Sequence, residues 1–294
     1  MLSLHTNYVG NLPILAKAWK KAIHGLKQPL NYPSTLGYEP LREKIAELYS
    51  VDQSQVLMTT SATEALHLIA QVEKIYIPKP AFFGALRQQN FSRSEASAVY
   101  INSIQHSVTS KTLKASTIYA IKDEWETQIF DNPYSLLVGR KQRTKHTGTF
   151  TIGSFSKVFG PGLRLGYIIA DARNISRLKS IHISASLSCP QTTQELVYKM
   201  LPILPELRAI RKAQLQEGTQ WLRSLGFKTP DPRGGLHTSI TVKKDSIPET
   251  LLPYLQSSKY CEEENSTNTF IPINVSAENR RKLKHSLEKL TPLL

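Results

Sequence analysis

The sequence predicts an α/β fold, in which a large domain with a buried, mostly parallel sheet is joined to a smaller α+β domain. Three observations lead to this prediction. Short β-rich apolar runs alternate with amphipathic helical segments up to Ala170. The pattern becomes helical from Arg173 onward, and a shorter region of mixed runs closes the chain. The length of 294 residues also exceeds that of a usual single domain.

Three helices are predicted in the N-terminal part of the chain. The run NLPILAKAWKKAIHGL places its apolar residues at spacings of three and four. The run EPLREKIAELY carries Pro40 near its start, a position that suits proline in a helix. The third run, SATEALHLIAQV, opens with the hydroxyl residues that cap helices.

The strands are predicted from short apolar runs bounded by turn residues, namely KIYIP, ASAVYI, TIYAI, TQIFD, GTFTIGSF and LGYIIA. Beyond them, two helices are predicted with a break near Pro202 and Pro205. The C-terminal region predicts strands in GGLHTSITVK and TFIPINV, and helices near 247–255 and in AENRRKLKHSLEKL. We therefore divide the chain into an N-terminal segment, a large domain, connecting helices and a small domain, with bounds 1–40, 41–190, 191–225 and 226–294.

Composition excludes several classes of protein. No apolar run is long enough to span a membrane, and the N-terminus lacks the pattern of a signal peptide. The two cysteines, Cys189 and Cys261, form no CxxC motif, so the sequence predicts no disulfide framework, no metal site and a cytoplasmic location. The net charge of +14 comes from scattered basic residues without a nucleic-acid-binding motif. We therefore expect solvated basic faces, and neither a nucleic acid nor a membrane as partner.

A first candidate site lies in TTSATEAL, where four hydroxyl residues, Thr59, Thr60, Ser61 and Thr63, cluster at the start of a predicted helix. The free N–H groups and the positive dipole end of a helix N-terminus bind phosphate well. The same cluster could also do no more than cap the helix.

A second candidate site lies in IFDNPYSLL, where Asp131 ends a predicted buried strand and Tyr134 follows three residues later. Open α/β sheets bind ligands at the carboxyl ends of their strands. The alternative is that Asp131 only starts the turn that Asn132 and Pro133 signal.

The third candidate site is GSFSKVFGPGLRLGY, in which Lys157 follows a predicted strand and stands between serines. A lysine attacks carbonyl groups once its surroundings disfavour the charged form. Arg164 can bind a phosphate through two hydrogen bonds, and Gly160 and Gly162 permit a tight turn between the two residues. The order of residues does not match the GxxxxGK[ST] phosphate loop.

These strings together resemble fold-type I pyridoxal-phosphate enzymes, in particular the class I/II aminotransferases of the aminoadipate/kynurenine type. The resemblance runs through NYPSTLGYEPLREKIAELY, MTTSATEAL, YIPKPAFFGA, DNPY, SFSKVFGPGLRLGY and PRGGLHTSITV in the order of the family. It implies a seven-stranded central sheet, a small domain built from both chain ends, and pyridoxal 5'-phosphate (PLP) as cofactor. The segment 1–40 would help to cover the active site.

The resemblance also implies roles for single residues. Lys157 would form the Schiff base with the cofactor aldehyde and later carry the proton. Asp131 would keep the pyridine nitrogen protonated, Tyr134 would bind the phenolic oxygen, and Phe82 would stack on the ring. The phosphate would be bound by residues of two segments, Ser61, Ala62 and Thr63 in the first and Ser154, Ser156 and Arg164 in the second. Tyr32 would reach the phosphate of a second subunit, since the family's active site lies at a homodimer interface. Asn11 and His237 are candidates for contact with the substrate.

The sequence departs from the family pattern at three places. The family's NPtG segment, whose Asn touches the ring oxygen, is missing. We take TIYAIKDEW as the corresponding strand, which would put Lys122 or Asp123 near the ring. The family's helix between this strand and TQIFDNPY would then be absent as well. Pro272 stands where the family has an arginine that binds the substrate carboxylate. Ser61 replaces a glycine before the phosphate helix.

The predicted function is therefore PLP-dependent amino-group transfer on a small amino acid or amine, with a keto acid as acceptor, in a specialised biosynthetic role. A PLP-dependent lyase, decarboxylase or oxidase of the same fold is the alternative, because Pro272 removes the carboxylate grip that would select the bond to be broken. A non-catalytic PLP-binding protein and a basic nucleic-acid binder are further alternatives.

Overall fold

The computed structural model describes residues 12–27, 30–104, 106–139, 141, 147–231, 234–243 and 268–274, together with residues 280, 284 and 287. The helices of these residues are α1 (Pro13–His24), α2 (Glu39–Tyr49), α3 (Ala62–Ala70), α4 (Phe83–Leu86), α5 (Ala115–Glu124), α6 (Ala172–Ser186), α7 (Gln191–Met200) and α8 (Leu204–Ser224). The strands are β1 (Val56–Thr59), β2 (Ile75–Tyr76), β3 (Ala98–Ile101), β4 (Thr127–Asp131), β5 (Phe150–Ser154), β6 (Gly166–Ile169), β7 (His237–Lys243) and β8 (Asn268–Asn274). No helix among the described residues is both long and apolar enough to cross a membrane.

Six strands form the main sheet, in the order β1-β6-β5-β4-β3-β2. Five strands run in one direction, and β6 is antiparallel to both of its neighbours, β1 and β5. The prediction of a mostly parallel sheet is confirmed. Seven strands were expected, and the described part of the chain contains six of them in this sheet. The carboxyl ends of β1, β4 and β5 therefore meet at one edge, where β6 begins at Gly166.

Both faces of this sheet are covered. On β1, Val56 and Met58 pack into one apolar cluster with α1, α2 and α7, whereas Leu57 packs into a second cluster with α3 and α6. Strand β6 alternates in the same way, because successive side chains of a strand point to opposite faces. A sheet that is buried on both faces explains why its strands read as continuous apolar runs.

The second sheet is the antiparallel pair β7–β8, in which His237 lies opposite Asn274 and Ser239 opposite Pro272. Its apolar face packs on Leu215 and Leu222 of α8. The strands predicted in GGLHTSITVK and TFIPINV are confirmed. The helix predicted near 247–255 lies outside the described residues, as does most of AENRRKLKHSLEKL.

One predicted strand is wrong. The run TIYAI lies in α5, which connects β3 to β4, so the helix expected to be missing is present. Ile118 and Ile121 are three residues apart and pack together against β3 and β4, whereas Tyr119 between them is 65% exposed. The spacing of the buried residues is thus helical, although a run of five apolar residues does not reveal it.

The two helices predicted around Pro202 and Pro205 are confirmed, whereas helix α4 and one strand were not predicted. Helix α7 ends at Met200, a 3-10 turn covers Leu201–Ile203, and α8 begins at Leu204 with Pro205 in its first turn, as the two prolines indicated. Strand β1 was not predicted, because its run VLMT is short and directly precedes the hydroxyl cluster.

Candidate active site

The carboxyl edge of the main sheet opens onto a cavity of about 320 Å³. Most of the residues predicted to form the site line this cavity. They are Ser61, Ala62, Thr63, Phe82, Asp131, Tyr134, Ser154, Ser156, Lys157, Arg164 and His237. Tyr32 does not line the cavity and is 84% exposed, and Asn11 lies outside the described residues. The wall is completed by residues from the loop after β3 and from β8. The cavity therefore collects side chains from both sheets.

Asp131 is the buried acid of this cavity. It ends β4 and accepts a hydrogen bond from the Tyr100 hydroxyl at its Oδ2 atom, 2.6 Å away. Among the described residues, none donates a hydrogen bond to its Oδ1 atom. Burial raises the pKa of Asp131 to about 6, against the opposing effects of the Tyr100 hydrogen bond and the charge of Lys157. A buried carboxylate oxygen without a partner suits a ligand that brings a proton donor.

Lys157 is the half-buried base of the cavity. It lies in the turn that follows β5, and its side chain is close enough to Asp131 for the two charges to interact. Burial lowers the pKa of Lys157 to about 8, and the charge of Asp131 limits that decrease. A substantial fraction of its amine is therefore neutral near physiological pH, as a nucleophilic lysine requires.

The N-terminus of α3 forms one end of the cavity. Ser61 is its N-cap residue, and its Oγ atom accepts a hydrogen bond from the Glu64 N–H, 3.0 Å away. Ser61 thus caps the helix, and it also lines the cavity. A Cβ atom on Gly166 would lie 2.8 Å from Ala62 N and 2.8 Å from Ser61 C. Only glycine permits this close approach of β6 to the helix end.

The loop between Lys157 and β6 adds Arg164 to the lining of the cavity. Gly160 has a φ of 137°, and Arg164 itself is left-handed with a φ of 45°. The Arg164 guanidinium donates to Pro161 O across 3.3 Å, while the Ser156 N–H donates to Ser154 Oγ across 3.2 Å. Helix dipole, serine hydroxyls and guanidinium converge as an anion site would require.

Tyr134 and His237 connect the two sheets inside the cavity. The Tyr134 hydroxyl lies 3.1 Å from His237 Nδ1, and His237 Nε2 lies 3.1 Å from Ser107 O. Since Ser107 O can only accept, Nε2 carries the proton, and Nδ1 accepts from Tyr134. Burial, followed by the charge of Asp131, raises the pKa of Tyr134 above its ordinary value. His237, a candidate for contact with the substrate, is thus a hydrogen-bond partner of Tyr134.

The prediction that Lys122 or Asp123 lies near the cofactor ring is wrong. Both residues are exposed on α5, and neither lines the cavity. The loop after β3 takes that place with Asn102 and Ser107. Asn102 donates from Nδ2 to Asp131 O across 2.7 Å, and its Oδ1 accepts from the Ser107 hydroxyl. Asn102 follows a buried strand at the carboxyl edge, which is a signal that could have identified it.

Strand β8 supplies the wall opposite Lys157's sheet. Pro272 lines the cavity, as the alignment of TFIPINV implied, and so does Asn274, two positions further along the same face. Asn274 is buried and was not predicted. Its place follows from its register opposite His237, which no local pattern reveals.

Comparisons with known proteins agree with this geometry. The family model described as aminotransferase class I and II matches residues 122–245. The 2-aminoadipate transaminase of Thermus thermophilus is 23% identical, with coverage of 76% of this chain and 69% of that protein. The aspartate aminotransferase of Thermococcus kodakarensis is also 23% identical, with coverage of 81% and 74%.

Solved structures show the same fold. The α-aminoadipate aminotransferase of Thermus thermophilus, complexed with N-(5'-phosphopyridoxyl)-L-leucine, matches with a TM-score of 0.75 and 18% identity over 97% of this chain and 89% of that one. The kynurenine aminotransferase of Pyrococcus horikoshii matches with a TM-score of 0.76 and 17% identity over 97% and 87%.

The chain therefore has the fold of the PLP-dependent enzymes of fold type I, as predicted. The predicted resemblance to the class I/II aminotransferases is confirmed, and with it the prediction of a PLP-dependent aminotransferase. The alternative reactions of this fold are not favoured, because the matching proteins are named aminotransferases.

The residues present fit the cofactor. The unpaired Oδ1 atom of Asp131 provides the acceptor that a protonated ring nitrogen needs. The start of α3, at Ser61 and Ala62, lines the cavity as Arg164 does, and these are the groups that would hold a phosphate.

Proposed function

We propose that this chain transfers an amino group from a small amino compound to a keto acid, and that Lys157 and Asp131 carry the chemistry. One observation carries this assignment: Lys157 and Asp131, whose Oδ1 atom is unpaired among the described residues, line one cavity together with groups that suit a phosphate. When bound, PLP supplies an aldehyde that takes up the amino group and a ring that stabilises negative charge on the adjoining carbon.

Asp131 would hold a proton at the ring nitrogen. Its Oδ2 atom is already occupied by Tyr100, so Oδ1 is the atom that would accept the hydrogen bond. The backbone contact from Asn102 fixes the end of β4 and hence the direction of the carboxylate. A pyridinium cation beside Asp131 would lower the carboxyl pKa again, so that the acid stays ionised in the loaded enzyme.

Lys157 would hold and move the proton at the reacting carbon. A pKa of about 8 lets the amine accept and release a proton near neutral pH, which is the condition for an efficient general acid and base. Its position in the tight turn between β5 and the Pro161–Leu163 turn limits the movement of its backbone.

The phosphate would be bound by the N–H groups of α3, by Ser154 and Ser156, and by Arg164. Tyr134 would turn its single hydroxyl proton from His237 Nδ1 to the phenolic oxygen of the ring. Phe82 would cover one face of the ring. Tyr32 would reach the phosphate of the second subunit in a homodimer. The exposure of Tyr32 supports this last assignment, since a side chain that serves another subunit is uncovered in a single chain.

The substrate would lie between the ring and strand β8. His237, Asn102 and Asn274 are polar side chains of that part of the cavity, and Pro272 contributes an apolar surface. The names of the relatives, 2-aminoadipate transaminase and aspartate aminotransferase, support an amino acid as the amino donor. Asn11 remains a candidate for substrate contact.

We also propose the domain division 1–40, 41–190, 191–225 and 226–294, and a cytoplasmic location. The separate apolar cluster under β7 and β8 supports a small C-terminal domain. The two widely spaced cysteines support a reducing compartment.

The test is an absorbance spectrum of the purified protein with PLP, for the wild type, Lys157→Ala and Lys212→Ala. Lys212 is an exposed lysine of α8 and serves as the matched control. We expect visible absorbance of lysine-linked PLP that borohydride fixes on the peptide of Lys157. Only Lys157→Ala should lose it. A folded wild type without this absorbance would contradict the assignment.

Transfer itself is tested by adding amino donors and then keto acids. An amino donor should convert the cofactor to its amine form, and a keto acid should restore the original spectrum with release of a new amino acid. Carbon dioxide, ammonia from elimination, or consumption of oxygen as the main product would instead identify the alternative reactions.

A further inference from the structure

A second cluster of reactive side chains lies behind the N-terminus of α3. Glu64 belongs to the first turn of α3, His182 to α6, and Cys189 to the connection between α6 and α7. One ligand atom from each residue lies within 4.8 Å of the other two. The three residues do not line the cavity of the active site, and the mechanism proposed above does not use them.

His182 is the unusual member of this cluster. It is completely buried, and neither ring nitrogen has a hydrogen-bond partner among the described residues. Its Nε2 atom lies 3.8 Å from Glu64 Oε1, which is too long for a hydrogen bond. Buried polar atoms are nearly always paired, so a buried histidine with two unpaired nitrogens calls for a ligand.

Cys189 and Glu64 complete the surroundings of His182. Cys189 is a free cysteine and is 1% exposed. The Glu64 carboxylate is held at Oε2 by the Thr60 N–H and by the Thr60 hydroxyl, the latter at 2.8 Å. Its Oε1 atom points to the cluster and accepts one weak hydrogen bond, from the Ser186 hydroxyl at 3.3 Å. A carboxylate that is anchored at one oxygen and open at the other resembles a metal ligand with its outer-shell support.

We propose that Glu64, His182 and Cys189 form a binding site for a zinc ion. Thiolate, imidazole and carboxylate are the three ligand types that zinc takes in proteins, whereas magnesium and calcium require oxygen ligands. Tetrahedral zinc with these ligands places the ligand atoms about 3.4 to 3.6 Å apart, so closure by on the order of 1 Å suffices.

The charges of this site balance. Zinc brings two positive charges, the Glu64 carboxylate brings one negative charge, and Cys189 becomes a thiolate by releasing its proton to solvent. The site then buries no net charge, which lowers the free-energy cost of placing an ion there. The side of Glu64 is partly open, with a side-chain exposure of 18%, and admits the water molecule that would complete four ligands.

The ion would connect helix α3, helix α6 and the segment between α6 and α7. Glu64 lies two residues after Ala62, the first residue of α3, so the site would fix the end of the helix that borders the phosphate region. The sequence did not predict this site, because Cys189 belongs to no CxxC motif and its partners come from distant segments.

The first experiment measures zinc in the purified full-length chain by mass spectrometry, before and after dialysis against a chelator and after zinc is returned. We expect about one zinc ion per chain. Cys189→Ser and His182→Gln should weaken zinc binding at least about tenfold, the lower end of the loss caused by removing even an outer-shell partner. Cys261→Ser and His67→Gln are the matched controls and should bind zinc like the wild type.

The second experiment needs no variant and so does not depend on the folding of the buried substitutions. Cobalt replaces zinc in the wild-type chain, and its absorbance is recorded. A thiolate-to-cobalt charge-transfer band with the intense visible bands of four-coordinate cobalt is expected. A wild type that binds neither metal would overturn the proposal. Binding without the thiolate band, or binding that Cys261→Ser abolishes and Cys189→Ser spares, would do the same.

Discussion

Gly166 provides the sharpest test of the proposed phosphate end of the cavity. It lies at the start of β6, between Thr59 of β1 and Ser154 of β5. A Cβ atom at this position would lie 2.8 Å from two backbone atoms of the α3 terminus and 3.0 Å from Gly153 O. Ordinary Cβ contacts begin at 3.4 Å, and the contacts here would be 2.8 Å. In Gly166→Ala, β6 and α3 must therefore move apart by the difference, 0.6 Å. No flexible side chain can absorb this displacement, because all three atoms belong to the backbone.

The energetic consequence has two parts. Overpacking of this kind lowers the free energy of unfolding by about 1–3 kcal/mol, and the smaller entropy of alanine in the unfolded chain offsets about 0.4–1 kcal/mol of it. Movement of the α3 terminus by 0.6 Å also lengthens its hydrogen bonds to a phosphate. The loss of one such bond to a charged group is worth about 1.5–3 kcal/mol, which corresponds to PLP binding that is weaker by roughly 10-fold to 100-fold.

The assay is a titration of the apoprotein with PLP, followed by absorbance, together with unfolding in urea. Gly162→Ala is the matched control, because its added methyl group meets no atom within 4 Å and the residue lies in the same loop. We expect both affinity and stability to fall in Gly166→Ala and to stay at wild-type values in Gly162→Ala. Wild-type affinity in Gly166→Ala would refute the reasoning that the α3 terminus holds the phosphate.

Three further predictions concern titratable groups, namely Asp131 and Lys157 of the site and His106, which follows β3 and does not line the cavity. Asp131→Asn removes a negative charge that raises the pKa of Lys157, so the pH midpoint for lysine-linked PLP formation should fall, and an increase would contradict the assigned interaction. The pKa of Lys157 is about 8 in the folded apoprotein, whereas a lysine in the unfolded chain has the ordinary value of 10.5. Between pH 8 and 10.5 the unfolded chain therefore binds more protons than the folded protein, and the free energy of unfolding should rise with pH. Urea unfolding should show this rise, by up to about 1.4 kcal/mol per pH unit, and Lys157→Met should lack it. His106 has a pKa lowered to about 4 by burial, and its neutral Nδ1 accepts from the N–H groups of Val108 and Thr109 at 3.2 Å each. His106→Ala should therefore lower the free energy of unfolding at pH 7 by about 2 kcal/mol, whereas a neutral effect would show that the loop does not depend on it.

The local part of the candidate site was predictable from the sequence. Lys157, Arg164 and the glycines between them belong to one short segment, so they lie near one another whatever the rest of the chain does. Ser61 at the start of α3 and Asp131 at the end of β4 were likewise identified, because a cap and a strand end are properties of a few neighbouring residues.

The weaker predictions concern short runs whose periodicity is ambiguous. TIYAI has the composition of a strand, yet it is the middle of α5, because the helix spacing of Ile118 and Ile121 meets the apolar surface of β3 and β4. Tertiary packing thus overrode local propensity. Because this run was predicted as a strand, Lys122 or Asp123 was expected near the cofactor ring. The residues that line the cavity there are Asn102 and Ser107.

From the sequence alone, the fold class and most of the main elements could be predicted, and a chemical role could be proposed for the lysine segment. Only the tertiary structure decided that His237 pairs with Tyr134, that Asn274 faces the cavity, and that His182 is buried beside Glu64 and Cys189. The physical reason is the range of the interactions: caps, turns and strand ends act between neighbours in the chain, whereas a cavity wall or a ligand cluster arises from elements that the sheet brings together from distant segments.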